Sequence, residues 1–372
     1  MKINFINSSY RRYFGQHKEE LVNAFIKCAS KGDFVLRKDV VKFEYNLAKY
    51  VGTKYALGVN SGTDALFLAL KALDIKDGDE VITVGHTFIA SIQVIVHCNA
   101  VPILIDVKKD GLMDVDLIEQ AITKKTKCIM PVHLSGKVCD MTKIMRIAKQ
   151  HKLVVIEDSC QALGSYWGNK KAGAIGDIGC FSFISPKLMG GMGDNGAIVT
   201  NNRNIYEKIN LLRNHWNITQ GALHGVQSKQ PKIMNWGWNS RMDNIQAALL
   251  NVKFQYYDQI LKRRREIAMM YNKGLAGLPI KLPIQQIAQV YQEYILIISD
   301  MWEFKKYMQK KGVELLIRDT TPNHKLRGLN LDHFDLPITE ELAVSSVRLP
   351  IYPELTNKEV EYIIKCINKF YD

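Results

Sequence analysis

The sequence predicts an α/β protein: a large unit built on a mainly parallel sheet covered by helices on both faces, then a smaller α+β unit at the C-terminal end. Three observations carry this. From about residue 40 to 200, short apolar runs alternate with amphipathic segments, an order that calls for parallel strands joined by helices. Four of the runs end in polar or glycine residues, where an open α/β sheet presents its ligands. After Arg241 the pattern changes to long helical periodicity, then to a shorter mix of strand and helix.

The apolar runs predict strands over 55–59, 80–84, 101–106, 127–132, 153–156, 180–183 and 197–199. Amphipathic spacing predicts helices over 64–73, 89–97 and 141–151. A long helix is expected from Asn244 to about Leu275, followed by the proline-containing LPIKLPI. Beyond it come a strand at 294–298, a helix at 302–311, a strand at 313–317 and a closing helix from Asn357. The expected division is therefore 1–250 and 251–372.

A chain of 372 residues is long enough for two domains, and 47% hydrophobic with 23% charged residues is ordinary for a soluble globular protein. No apolar run is long enough to cross a bilayer, and the opening MKINFINSSYRRYF lacks the apolar core of a signal peptide. A cytoplasmic protein with no membrane partner is expected. Seven scattered cysteines without a CxxC pair read as buried thiols rather than disulfides or a zinc site, so no metal is expected. The net charge of +13 is dispersed. Its densest cluster, Lys262-Arg263-Arg264-Arg265 followed by Glu266, reads as a solvated helix face rather than a nucleic-acid site. Anionic small-molecule substrates fit the charge better.

The four polar-ended runs hold the candidate site. In VNSGTDAL, Gly62 and Thr63 form a turn before a helix whose first amides suit a phosphate, although a plain N-cap explains the stretch as well. In VGHTFIAS, Phe88 opens a helix just after a strand, where its ring is either core or the cover of a planar ligand. In VVIEDSCQALG, Asp158 ends an apolar strand, where a carboxylate is costly to bury without a partner, while Glu157 reads as no more than a surface cap. In FSFISPKLMGGMGDNGAIVT, Lys187 sits between a proline and a glycine-rich run, either as a solvated loop lysine or as one that must meet a flat cofactor at close range. GMGDNG matches the dinucleotide fingerprint G-x-G-x-x-G, but a lysine turn precedes it and a strand follows, so that reading is rejected.

The order SGTDAL, HTF, PVHLSGKVCDM, VIEDSCQALG, FSFISPK, GDNGAIVT and GWNSRMDNIQAALLNVKF resembles the DegT/StrS family of sugar aminotransferases, from residues 32–44 to 349–367. The resemblance implies a fold-type-I enzyme that uses pyridoxal 5'-phosphate (PLP). It implies Lys187 as the lysine that forms a Schiff base with PLP, Asp158 as the partner of the pyridine nitrogen and Gln161 as the contact to the phenolic oxygen. Gly62, Thr63 and Ser182 would cradle the phosphate and Phe88 would stack on the ring. Asn239 would reach the phosphate of the neighbouring subunit in a homodimer with shared sites. On its residues alone, Asn239 or Ser240 reads instead as the N-cap of the next helix.

Three stretches depart from the family pattern. Ser185-Pro186-Lys187-Leu188-Met189-Gly190 stands for the usual P-T-K-N-L-G, and Gly-Asp-Asn-Gly for Gly-Asp-Gly-Gly; the segment 315–331 lacks the frequent His-Tyr-Pro. Lys187 argues against the dehydratase members, which carry histidine there. The implied activity is transfer of an amino group from an amino acid, by resemblance glutamate, to a nucleotide-linked keto-sugar for amino-sugar and surface-polysaccharide synthesis, such as lipopolysaccharide O-antigen. The alternatives are a free acidic keto-sugar of the ulosonic type, or a non-catalytic PLP-binding regulatory protein.

Overall fold

A computed structural model of the chain describes residues 2–5, 7–217 and 233–372. The central sheet is assembled from β1 (Tyr55–Val59), β2 (Glu80–Val84), β3 (Val101–Ile105), β4 (Thr126–Ile129), β5 (Val154–Asp158), β8 (Ile178–Ser182) and β9 (Gly196–Thr200). Between β5 and β8 lies a separate hairpin of β6 (Tyr166–Trp167) and β7 (Lys170–Lys171). The spatial order is β1-β9-β8-β5-β4-β2-β3. Pairing is parallel from β3 across to β8 and antiparallel where β9 lies between β8 and β1. The reversal goes with the connection: β8 and β9 are joined by the lysine loop, residues 183–195, with no crossover helix, and β9 runs back beside β8.

Alternation along the strands explains why both faces are covered. Val81, Ile156 and Ile198 enter one apolar cluster with α3 (Gly62–Ala72), α4 (Ala90–His97) and α7 (Arg203–Leu212). Their neighbours Ile82 and Val155 face a second cluster, which holds Ile144 and Ile147 of α6 (Met141–His151). Val199 faces a third, with Phe43 of α2 (Lys38–Val51) and Leu250 of α8 (Asn244–Phe254). Helix α6 shows the local logic. It buries Met141, Ile144, Ile147 and Ala148 along one stripe, starts where the Asp140 side chain accepts from Lys143 N–H at 3.0 Å, and stops at left-handed Lys152.

The C-terminal part pairs β10 (Tyr294–Ile297) with β11 (Ser346–Leu349), antiparallel. Around them pack α9 (Tyr257–Gly274), α10 (Met301–Lys310) and α12 (Asn357–Tyr371), with Tyr271, Phe304 and Ile363 fully buried in one cluster. Ile3 belongs to that same cluster, so the start of the chain pairs with the C-terminal unit through the Ile3–Val313 bridge. Helix α1 (Asn7–Ala29), broken at His17, reinforces this through Arg12, which grips Glu359 of α12 at 2.6 Å. The remaining α-helices among the described residues are α5 (Ile118–Ala121) and α11 (Pro337–Ala343).

The fold corrects several expectations. The segment 313–317 forms isolated bridges instead of a strand, because its residues pair with two different partners: Val313 with Ile3, and Leu316 with Arg348 of β11. The long helix from Asn244 is two helices with a break at residues 255–256. The arginine cluster is no solvated face: Arg264 is buried and donates to the Tyr291 carbonyl, while Arg263 and Arg265 donate to Leu355 and Gln289 carbonyls. Glu157 is fully buried rather than a surface cap; it accepts from the amides of Gly173, Ile175 and Gly176 and meets the His133 ring at 2.9 Å. Helices α1, α2, α5, α7 and α11 lie outside the helices that the spacing predicts. All seven cysteines are free, six of them buried. Among the described residues, no helix is long and apolar enough to cross a membrane.

Candidate active site

Asp158 ends β5 and is buried. One carboxylate oxygen accepts from the Ser91 hydroxyl at 2.7 Å, the other from the Cys160 amide at 3.2 Å. Ser91 is itself tied to Thr87 at 2.8 Å, so the loop after β2 braces the carboxylate. Among the described residues no cation pairs with Asp158. A buried carboxylate in that state is poised for a positively charged partner.

Gln161 is brought beside it by the turn that follows β5. Its side-chain oxygen accepts from Ser135 N–H at 2.9 Å, which fixes the amide orientation and leaves its NH2 group as the donor. Ser135 adopts the left-handed region at φ 57°.

Lys187 stands in the loop from β8 to β9, inside nested turns: its N–H donates to Ile184 O at 2.9 Å and its carbonyl accepts from Gly190 at 2.8 Å. Burial lowers its amine's pKa, opposed by the negative charges of Glu293 and Asp158 and reinforced by Arg318. Lowering favours the uncharged nucleophile. Burial also lifts the Cys160 thiol well above its ordinary value, so it stays protonated beside Asp158.

Gly62 and Thr63 are the first residues of α3, capped by Ser61, whose side chain accepts from Asp64 N–H at 3.0 Å. The preceding amides of Gly62 and Thr63 have no acceptor within the helix. Space here is tight. A Cβ on Gly62 would lie 2.6 Å from the Ser182 Cβ, and one on Gly196 would lie 2.2 Å from the Ser61 carbonyl oxygen. Glycine at both positions lets the helix start sit against the ends of β8 and β9, which brings Ser182 to the same small hollow.

Phe88 lies two residues before α4 rather than opening it, and it is 59% exposed. It lines a cavity of about 310 Å³ together with His86, Arg318, Asn323 and Arg348. Burial, with Arg348, pushes the His86 pKa down to about 4, so the ring is neutral at pH 7. Asn239 is not a helix cap: Asp243 occupies the N-cap of α8, and Asn239 is exposed on a bridge to Asn214. Its neighbour Ser240 donates to Asp64 at 2.6 Å, which holds this stretch against the start of α3.

The structure thus gathers Asp158, Gln161, Ser182, Lys187 and the start of α3 at one edge of the sheet, with Phe88 at the rim and Asn239 outside. It adds residues that no motif in the sequence singles out. Glu293 is buried between Arg348 at 3.0 Å and Arg318 at 2.7 Å and also accepts from the Ser135 hydroxyl at 3.4 Å. Burial pushes its carboxyl up, but the two guanidiniums outweigh this and hold it down at about 2. Gln292, next to it, touches the lysine loop. Arg318 lies in the stretch that departs from the family pattern, the one available signal; the others lie in runs that read as ordinary core.

A bound PLP fits these residues on the observations above: an unpaired buried carboxylate, an amide with its NH2 group free to donate, free helix amides beside a glycine-narrowed hollow, and a lysine of lowered pKa. No group of three or more His, Cys, Asp or Glu side chains suited to a metal ion occurs among the described residues. The model of the DegT/DnrJ/EryC1/StrS aminotransferase family matches residues 16–368. The chain belongs to this family.

The aminotransferase is 36% identical over 359 residues to the dTDP-3-amino-3,6-dideoxy-alpha-D-galactopyranose transaminase of Aneurinibacillus thermoaerophilus, covering 95% of this chain and 96% of that one. Its structure is similar to DesV of S. venezuelae, solved in complex with a ketimine intermediate, at TM-score 0.93 and 30% identity, covering 100% of this chain and 99% of that one. It is also similar to NtdA from Bacillus subtilis with bound cofactor PMP, at TM-score 0.87 and 30% identity, covering 95% and 82%. The aminotransferase is accordingly a PLP-dependent enzyme of fold type I.

Proposed function

We propose that the aminotransferase moves an amino group from an amino acid, glutamate, to a nucleotide-linked keto-sugar in amino-sugar synthesis. The observation that carries the site assignment is the buried Asp158 carboxylate, held by Ser91 and Cys160 but without a cation, one turn from Gln161 and across the sheet edge from Lys187. PLP, when bound, supplies an electron sink for charge left at the donor's α-carbon. Asp158 would hold the positive charge of the ring nitrogen; a carboxylate near 4 Å contributes roughly 4 kcal/mol at an effective dielectric near 20. Gln161 would donate from its NH2 group to the phenolic oxygen. Gly62 and Thr63 amides and the Ser182 hydroxyl would bind the phosphate, and Phe88 would cover the ring. Lys187 would carry the cofactor covalently and, once displaced by the donor, take the proton from the α-carbon at Nζ and return it.

The working division proposed is 1–250 for cofactor binding and 251–372 for the small unit, whose core cluster is drawn, Ile3 aside, from residues beyond 250. A homodimer sharing its sites through Asn239 is part of the proposal; Asn239 is exposed in the single chain. An anionic substrate in the cytoplasm suits the net charge of +13. The test is incubation of the PLP-loaded protein with glutamate and a panel of dTDP-, UDP- and GDP-linked keto-sugars. Formation of 2-oxoglutarate and an amino-sugar is expected; failure with every nucleotide-linked sugar, beside turnover of a free acidic keto-sugar, would overturn the substrate class.

A further inference from the structure

The lysine loop is held by side chains from outside it. Lys253 donates to the Gly190 carbonyl at 3.0 Å, and Gln246 brackets Met192, accepting from its N–H at 3.1 Å and donating to its carbonyl at 2.8 Å. At the lysine itself the bracket comes from the C-terminal unit. The Gln292 side-chain oxygen accepts from Leu188 N–H at 3.0 Å, and its NH2 group donates to the Pro186 carbonyl at 3.0 Å. One amide thus grips the backbone on both sides of Lys187.

Gln292 is in turn well anchored. Buried Arg264 donates to the Tyr291 carbonyl at 2.7 Å, and the backbone at 291–292 lies so close to Gly136 that a Cβ there would meet both amides at 2.9 Å. The next residue, Glu293, reaches to Ser135, whose amide orients Gln161. Two consecutive side chains just ahead of β10 therefore brace the two sides of the proposed cofactor site. Gln292 braces the lysine turn, and Glu293 the loop that orients Gln161.

We propose that Gln292 is a positioning residue: by gripping Pro186 and Leu188 it fixes the turn from which Lys187 projects, so that the C-terminal unit sets where the amine points. This rests on the reading of Lys187 as the cofactor lysine. Ordinary loop anchoring would give the same two hydrogen bonds a purely structural value, and the protein holds a control for it. Gln286 makes the same bracket on Val138, accepting from its N–H at 2.7 Å and donating to its carbonyl at 2.8 Å, away from the lysine. The two amides lose the same bonds when truncated.

The experiment compares Gln292→Ala, Gln292→Glu and Gln286→Ala in the full-length chain. Two readouts are taken: the rate at which added PLP becomes fixed to Lys187 by borohydride in the cofactor-free protein, and kcat against KM in the loaded one. Gln292→Ala should slow attachment and lower kcat by about ten- to a hundredfold with KM little changed, the scale on which small misplacements act. Gln292→Glu keeps the acceptor for Leu188 but sets an oxygen against the Pro186 carbonyl, and should fall between; it serves if the alanine variant does not fold. Gln286→Ala should leave attachment and kcat within about twofold, since its two bonds hold Val138 and not the lysine turn. Equal effects of Gln292→Ala and Gln286→Ala, or an unchanged attachment rate and kcat in both Gln292 variants, would overturn the proposal. PLP fixed to another lysine in the wild-type protein would overturn the Lys187 reading itself, and the proposal with it.

Discussion

Ser91 donates its hydroxyl to the Asp158 carboxylate at 2.7 Å from the first turn of α4, linking the loop after β2 to the end of β5. The bond holds one oxygen of a buried acid whose remaining capacity faces the site. Asp158→Asn should fold and bind PLP, because an amide oxygen still accepts from Ser91, yet it should lose roughly two to three orders of magnitude in kcat because the ring nitrogen loses a charge partner worth several kcal/mol. Ser91→Ala should cost far less, about three- to tenfold, through looser orientation alone. Steady-state kinetics of the two variants decide this, and equal losses would show that orientation rather than charge is what Asp158 supplies.

Glycine at the phosphate hollow is a matter of room. Gly62→Ala places a methyl 2.6 Å from the Ser182 Cβ, so the helix start must move. Overpacking of this kind costs about 1–3 kcal/mol, and PLP affinity should fall by at least about tenfold. Gly15→Ala in α1 meets nothing within 4 Å. It should leave affinity unchanged and stabilise slightly by helix propensity. PLP titration followed by absorbance, with melting temperatures alongside, separates the two; unaltered binding in Gly62→Ala would remove that glycine from the phosphate cradle.

The arginine pair around Glu293 makes stability depend on pH. Its folded pKa of about 2 lies below the ordinary 4.5, so its contribution is present in full above 4.5 and lost as pH falls toward 2. Glu293→Gln leaves Arg348 and Arg318 without that charge and should melt lower at pH 7. The gap to wild type should shrink between pH 4.5 and 2. A gap that stays constant over that window would mean that the ion pairs contribute no net stability.

Asn239 is exposed in the single chain, which is what a residue serving a neighbouring site requires. Mixing a Lys187→Ala subunit with an Asn239 variant defective in PLP binding should restore part of the activity where subunits exchange. A two-fold dimer then carries both lesions in one site and neither in the other. Confirmed heterodimers without recovery would show that each subunit completes its own site.

What the sequence by itself determined is local. Strand periodicity located every strand of the large sheet, β1 and β2 to the residue, because a strand buried on both faces is a short apolar run whatever surrounds it. The polar and glycine residues that follow those runs marked Asp158, Gly62 and Lys187, and a carboxylate such as Asp158 at the end of an apolar strand is costly to bury without a partner. Tertiary structure decided everything that depends on which distant segments meet. Glu157 has the local pattern of a surface cap, yet three amides and His133 surround it; Arg264 sits in a basic run that suits a solvated face, yet the backbone at 291–292 lies against it. Gln292 and Glu293 carry no local mark at all. Their meaning comes from Leu188, Pro186, Ser135, Arg318 and Arg348, and only the packing of the C-terminal unit onto the sheet edge puts those partners within hydrogen-bond reach.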